Sequence, residues 1–139
     1  MLQRIQVDLR FRNDRVIDIR KDLLEEEQLS YLFYASDATI FPYTVSSASG
    51  VMFDGLAHGL PFVATDLPFF KEFSSEGLGI TVKRKPDGFA DGLVTLAKDY
   101  DIYVKKVNSF REKLKWDVIA TQHALLYEQV LHIKKPQAL

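Results

Sequence analysis

Ala38-Thr39-Ile40-Phe41-Pro42-Tyr43-Thr44-Val45-Ser46-Ser47-Ala48-Ser49-Gly50-Val51-Met52-Phe53-Asp54-Gly55-Leu56-Ala57-His58-Gly59-Leu60-Pro61-Phe62-Val63-Ala64 runs from one short apolar segment to another. Between them lie a loop of small residues and a short apolar helix. Strand, loop, helix, strand is one βαβ unit, the connection that parallel strands require. Pro42 cannot donate to a sheet ladder, so it marks the carboxyl edge of the first strand. Ligands of open α/β sheets bind at that edge. The serine-rich loop leaves from it.

Ser46, Ser47, Ala48, Ser49 and Gly50 offer hydroxyls and backbone N–H groups with little side-chain bulk. A loop of this kind opening a helix is an anion site in form. The first N–H groups of a helix have no internal partner, and its dipole favours negative charge there. Ser49 is the expected N-cap. Asp54 follows Gly50 by one helical turn, so it returns to the same face about 6 Å along the axis. A phosphate on Ser46, Ser47, Ser49, Gly50 and Val51, with ribose hydroxyls on Asp54, fits that spacing. The plainer alternative also stands: serine-rich loops cap helices with nothing bound, and a lone Asp on a helix is usually solvated. The helix from Gly50 to His58 is apolar over most of its surface and is expected to be buried. His58 with Gly59 behind it reads as a helix ending, with a cation at the negative end and a left-handed cap.

The same stretch, extended by Asp37 before it and Thr65-Asp66 after it, resembles the signature of GT-B-type retaining glycosyltransferases. In those enzymes the segment reads Ala-Asp, apolar strand, Pro-Ser, a glutamate-containing glycine loop, then Glu-Ala-Met-Ala-x-Gly-x-Pro-Val-Val-Ala. It lies in the C-terminal, nucleotide-sugar-binding domain. Asp54 matches the second of the family's two glutamates, which implies contact with the ribose hydroxyls. Ser46 stands where the first, sugar-contacting glutamate would be. Ser47 and Ser49 stand where the family often has glycines that bring the backbone to the diphosphate. Glu72 aligns with a further family glutamate, with no role assigned. The turn before the first helix passes the nucleobase in the family, which makes Arg20, Lys21 and Asp22 base-contact candidates, against their reading as a charged loop.

The remaining segments fit an α/β domain. Ile5 to Phe11 alternates and reads as a half-exposed strand; Asn13-Asp14 is a turn and Val16 to Ile19 a second strand. Asp22 with Glu25 has the form of an N-cap and its reciprocal partner. The helix behind it places Leu29, Leu32 and Phe33 on one face. Pro61 to Thr65 and Gly77 to Val82 are strands. Phe69, Phe70 and Phe73 lie on a short helix between them as core. A helix over Phe89 to Ala97 follows, then one with Tyr103, Val107, Phe110 and Leu114 inward. The last begins at Trp116, a packing anchor, with Ile119, Leu126, Val130 and Ile133 inward. Trp116 and Tyr127-Glu128-Gln129-Val130 resemble the family's closing segment, so the resemblance runs from Asp14 to Leu131.

Composition bounds the function. The 139 residues carry a formal charge of −1, which argues against general nucleic-acid binding. The one basic cluster, Lys83-Arg84-Lys85, reads as a solvated turn. Cysteine is absent, which excludes disulfides and thiolate metal sites. No apolar run approaches the ~18 residues of a membrane span, and no signal peptide is visible. A cytoplasmic location fits, peripheral to the membrane in a full enzyme.

The resemblance thus implies a Rossmann-like, three-layer α/β domain with a parallel sheet, the C-terminal half of a GT-B glycosyltransferase, over residues 1–133 with a tail at 134–139. It implies a nucleotide-sugar donor as partner, transfer with retention, and neither cofactor nor metal. No catalytic residue is assigned. The acceptor-binding N-terminal domain and the family's basic pair for the diphosphate have no counterpart in the sequence. The expectation is therefore a fragment, inactive alone, completed by an acceptor domain or paired with a second copy through the interdomain face. A non-catalytic nucleotide binder, which Ser46 favours, and a structural domain that pairs with another chain are the other readings.

Overall fold

A computed structural model describes residues 24–133, and the chain divides into two compact units, Met1–Ala35 and Ser36–Leu139. The strands read over Ile5 to Phe11 and Val16 to Ile19, the turn at Asn13-Asp14, and Arg20, Lys21 and Asp22 lie outside the described residues, as does the tail at 134–139.

In the first unit, helix α1 spans Glu26–Tyr34. Its N-cap is Glu25, and the reciprocal partner is Gln28, whose Oε1 accepts from the Glu25 N–H at 3.3 Å. The capping pair expected at Asp22 and Glu25 is therefore displaced by one turn. Glu26 and Glu27 occupy the first turn, where the dipole favours negative charge. Of the face expected inward, Phe33 is buried and Leu29 half-buried, whereas Leu32 is 38% exposed.

The second unit is α/β. Its elements are β1 (Thr39–Phe41), α2 (Gly50–Ala57), β2 (Phe62–Thr65), α3 (Pro68–Ser75), β3 (Gly79–Val82), α4 (Pro86–Lys98), α5 (Tyr100–Lys113) and α6 (Trp116–Ile133). The three strands pair in the order β1-β2-β3, both pairs parallel. Side chains alternate across a strand. The register Thr39–Phe62–Gly79 therefore puts Phe41, Phe62 and Ala64 on one face, and Val63, Ile80 and Val82 on the other.

Helices cover both faces. On the first, Met52 and Leu56 of α2, Phe70 of α3 and Val107 of α5 close a core with Phe41, Phe62, Ala64 and Leu78. Aromatic rings dominate it: Phe70 stacks on Phe41 at 5.6 Å between centroids, and Phe69, Phe53, Phe73 and Phe110 continue the chain of ring contacts. The Phe69, Phe70 and Phe73 helix is core, as its spacing indicates. On the second face α4 lies close, because Gly92 leaves only backbone there. A Cβ at Gly92 would stand 2.9 Å from Val82 Cγ1 and 3.0 Å from Val63 Cγ1. Gly79 is bound just as tightly: a Cβ there would meet the Phe62 carbonyl at 2.4 Å and its ring at 2.6 Å.

The end of the chain departs from its sequence reading. Trp116, read as a packing anchor, is 84% exposed, and Leu126 and Val130, read as inward, are 53% and 43% exposed. Among the described residues of α6 none is buried. The apolar spacing is genuine, yet an amphipathic pattern only shows which face a helix offers. Its start is partly covered, with Val118 and Ile119 half-buried, and residues 120–132 are exposed.

Candidate functional site

Because all three strands are parallel, their carboxyl ends open at one edge. Pro42 leaves β1 there, Asp66 leaves β2 and Lys83 leaves β3. The Asp66 N–H donates to the Val82 carbonyl at 2.8 Å, which ties two of these exits together. The Asp66 carboxylate is held by Lys71 of α3.

The serine loop rises from this edge between Pro42 and Ser49. Tyr43 anchors its start, the ring packed on Phe41 at 5.7 Å and on Phe70 at 5.8 Å. The Ser46 hydroxyl donates to the Ala48 carbonyl at 2.9 Å and bends the loop back on itself. Ser49 closes it as the N-cap of α2, with extended backbone and Oγ accepting from the Met52 N–H at 3.2 Å. The cap assignment read from the sequence therefore holds. Only 6% of Ser49 is exposed, so its hydroxyl serves a donor that water does not reach easily.

The two N–H groups ahead of Met52 are different. Those of Gly50 and Val51 have no acceptor among the described residues, and both residues are exposed. A Cβ built on Gly50 meets nothing within 4 Å. The helix thus begins as an open pair of donors at its positive end.

Which residues share the face above those donors follows from how α2 packs. Met52, Gly55 and Leu56 are buried against the sheet. Gly55 approaches β1 so closely that a Cβ would touch Thr39 Cγ2 at 3.0 Å. The opposite face carries Gly50, Val51, Asp54 and Ala57, all exposed. Asp54 therefore stands one turn above the open donors, on their side of the helix. Ser47 and Val45 are exposed as well.

His58 caps the far end. Its Nδ1 lies 2.8 Å from the Asp54 carbonyl, its backbone N–H donates to the same oxygen at 3.1 Å, and Gly59 follows with φ 86°. A side chain at Gly59 would cost about 1–2 kcal/mol in that left-handed conformation. The histidine ends the helix, as its position in sequence indicates. Glu72 is exposed on α3.

One residue of this edge escaped the sequence reading. Lys83, Arg84 and Lys85 are all exposed, as a solvated turn requires, and the Arg84 Nε–H in addition donates to the Pro42 carbonyl at 2.9 Å, forty-two residues away in the chain. A signal for it existed: a residue directly after the last parallel strand must stand at the same edge as the loop after the first.

The described residues contain no cluster of His, Cys, Asp and Glu able to hold a metal ion, and no helix long and apolar enough to cross a membrane. No curated protein matches the chain. The family described as glycosyl transferases group 1 matches over residues 5–99. That span holds the whole β1 to α4 segment and the serine loop, and it ends before α5, so the likeness read at Trp116 and Tyr127 falls beyond it. With well over half of its length matched, and a parallel α/β sheet carrying the matched segment, the chain belongs to the glycosyl transferases group 1, a family of sugar-transferring enzymes.

Proposed function

We propose that the chain is the donor-binding part of a GT-B-type retaining glycosyltransferase, corresponding to the C-terminal domain of such enzymes. In this reading residues 1–133 bind a nucleotide-diphosphate sugar. The N–H groups of Gly50 and Val51, with the exposed Ser47 hydroxyl and the loop backbone at Ser46 and Ser49, hold the diphosphate; Asp54 accepts the ribose hydroxyls. Arg20, Lys21 and Asp22 remain the candidates for the base. The acceptor is held by a second Rossmann-like domain, from the same gene or a separate chain. The fragment alone transfers no sugar, because positioning an acceptor supplies about 7–11 kcal/mol of a barrier of this kind.

The observation that carries this reading is the shared exposed face of α2. Two open donors and one carboxylate a turn apart are what a diphosphate joined to a ribose asks for. Calorimetric titration with uridine, guanosine and adenosine diphosphates tests it. Each charge-assisted bond to Asp54 contributes roughly 1.5–3 kcal/mol. Asp54→Ala is then expected to weaken the preferred nucleotide about tenfold or more, at nearly constant melting temperature, since Asp54 is exposed. Unaltered affinity with a large loss of stability overturns the assignment.

A second reading has its own support. The Ser46 hydroxyl, where the family has a sugar-contacting glutamate, is engaged with Ala48 inside the loop. This favours a domain that binds the nucleotide without turning over the sugar. Supplying an acceptor domain and assaying donor hydrolysis, with Ser46→Glu alongside, separates the two: hydrolysis by the native loop refutes the non-catalytic reading.

A further inference from the structure

Segment 42–48 carries the proposed diphosphate site, yet it is sparsely tied. Among the described residues its hydrogen bonds are two, Ser46 to Ala48 within the loop and Arg84 to Pro42 from outside it. The second crosses the sheet. β1 and β3 flank β2, so their exits stand roughly 9–10 Å apart. Arg84 reaches over the β2 exit to the carbonyl at the root of the loop.

The local chain aims it there. The Lys85 N–H donates to the Lys83 carbonyl at 2.7 Å, which makes a tight turn with Arg84 at its apex. Gly88, in the first turn of α4, lets the helix close on that turn: a Cβ at Gly88 would stand 2.7 Å from the Lys83 carbonyl. The turn is therefore fixed on its inner side. Arg84 makes no ion pair among the described residues, and Asp66, at the neighbouring exit, is already held by Lys71. Of the five N–H donors of the guanidinium, one is used among the described residues. A charge with no carboxylate partner among the described residues, bonded there to a neutral carbonyl, serves the geometry of the loop.

We infer that Arg84 is a positioning residue that clamps the Pro42–Ser49 loop, and with it the start of α2, in the arrangement that receives a diphosphate. This rests on the donor-site reading above and adds to it the element that preorganises the site. Fixing a loop in its bound conformation raises affinity by removing an ordering cost from the binding step.

The experiment uses the full 139-residue chain, with Arg84→Gln and Arg84→Lys as variants and inorganic pyrophosphate as the probe. Backbone 15N order parameters report the loop and calorimetry reports affinity. In the native chain residues 44–48 are expected near the ~0.85 of rigid backbone, and in Arg84→Gln below ~0.6. Pyrophosphate affinity is expected to fall about fivefold or more by loss of preorganisation, with the melting temperature unchanged. Arg84→Lys, which keeps a charge and a donor, recovers part of both. Unchanged order parameters in Arg84→Gln overturn the clamp. A loosened loop with unchanged affinity overturns the positioning role and leaves a mere tether. A native chain that binds neither pyrophosphate nor any nucleoside diphosphate overturns the donor-site reading itself, and the positioning role falls with it.

Discussion

Replacing Gly50 by Asp should raise stability and lower nucleotide affinity at once. Gly50 is the first residue of α2, its φ is negative, and a Cβ there meets nothing within 4 Å, so the side chain enters without strain. Removing a helical glycine gains about 0.5–1 kcal/mol. A carboxylate in the first turn adds about 0.3–1 kcal/mol through the dipole, and α2 has no acidic residue there at present. The sum is about 1–2 kcal/mol, or a rise of roughly 3–7 °C in melting temperature for a chain of this size. The same carboxylate stands beside the open N–H groups of Gly50 and Val51. Against a phosphate at about 4 Å it costs about 1 kcal/mol in water-like surroundings and about 4 kcal/mol at an effective dielectric of 20. Affinity for a nucleoside diphosphate should therefore fall at least about fivefold, and by orders of magnitude if water is excluded. Gly50→Ala is the control: it keeps the gain from losing glycine and leaves the donors free. Thermal melts and calorimetry on the three chains decide the matter. A Gly50→Asp chain that binds nucleotide as well as the native one shows that the anion sits elsewhere. A loss of stability in Gly50→Ala shows that the helix start is not open.

Three further outcomes follow from other residues. Ser49→Ala leaves the N–H of fully buried Met52 without its acceptor, a loss of about 1–2 kcal/mol; a melting temperature unchanged within a degree would show that the cap carries no stability. Deleting residues 116–139 removes α6, none of whose described residues is buried, so near-ultraviolet ellipticity melts should move by no more than about 2 °C; a large drop would mean that α6 is covered in solution. The Tyr100 phenol is held above its ordinary value of 10.0, first by desolvation and then by the carboxylates of Asp37 and Asp101, while its hydroxyl donates to the Asp37 carbonyl at 3.0 Å. Because the folded state keeps that proton longer, its contribution is whole below pH 10 and is lost as pH rises through the raised value. Tyr100→Phe should therefore flatten the decline of urea stability above pH 10; an unchanged slope removes Tyr100 from the account.

The βαβ core was legible because each of its signals is local. Pro42 ends a strand for want of an N–H, Ser49 caps a helix with its own oxygen, and Gly59 takes the φ that other residues resist. The spacing of Asp54 from Gly50 is a property of any helix, and needed only the helix to exist. The capping pair of α1 was read one turn early because Asp22 and Glu25 satisfy the same pattern as Glu25 and Gln28. Pattern alone does not choose between overlapping boxes.

Tertiary structure decided what depends on who stands beside whom. The sequence by itself determined the parallel α/β order, the loop at the carboxyl edge and the face of α2 that carries Asp54, all consequences of chain geometry over a few residues. It showed Arg84 only as part of a solvated turn, since a bond between residues forty-two apart exists only once β1 and β3 are placed on either side of β2. It misjudged α6 for the same reason. Burial is the removal of a surface from water by a neighbour; the apolar spacing marks the face that α6 offers, and in this fold Trp116, Leu126 and Val130 stay exposed.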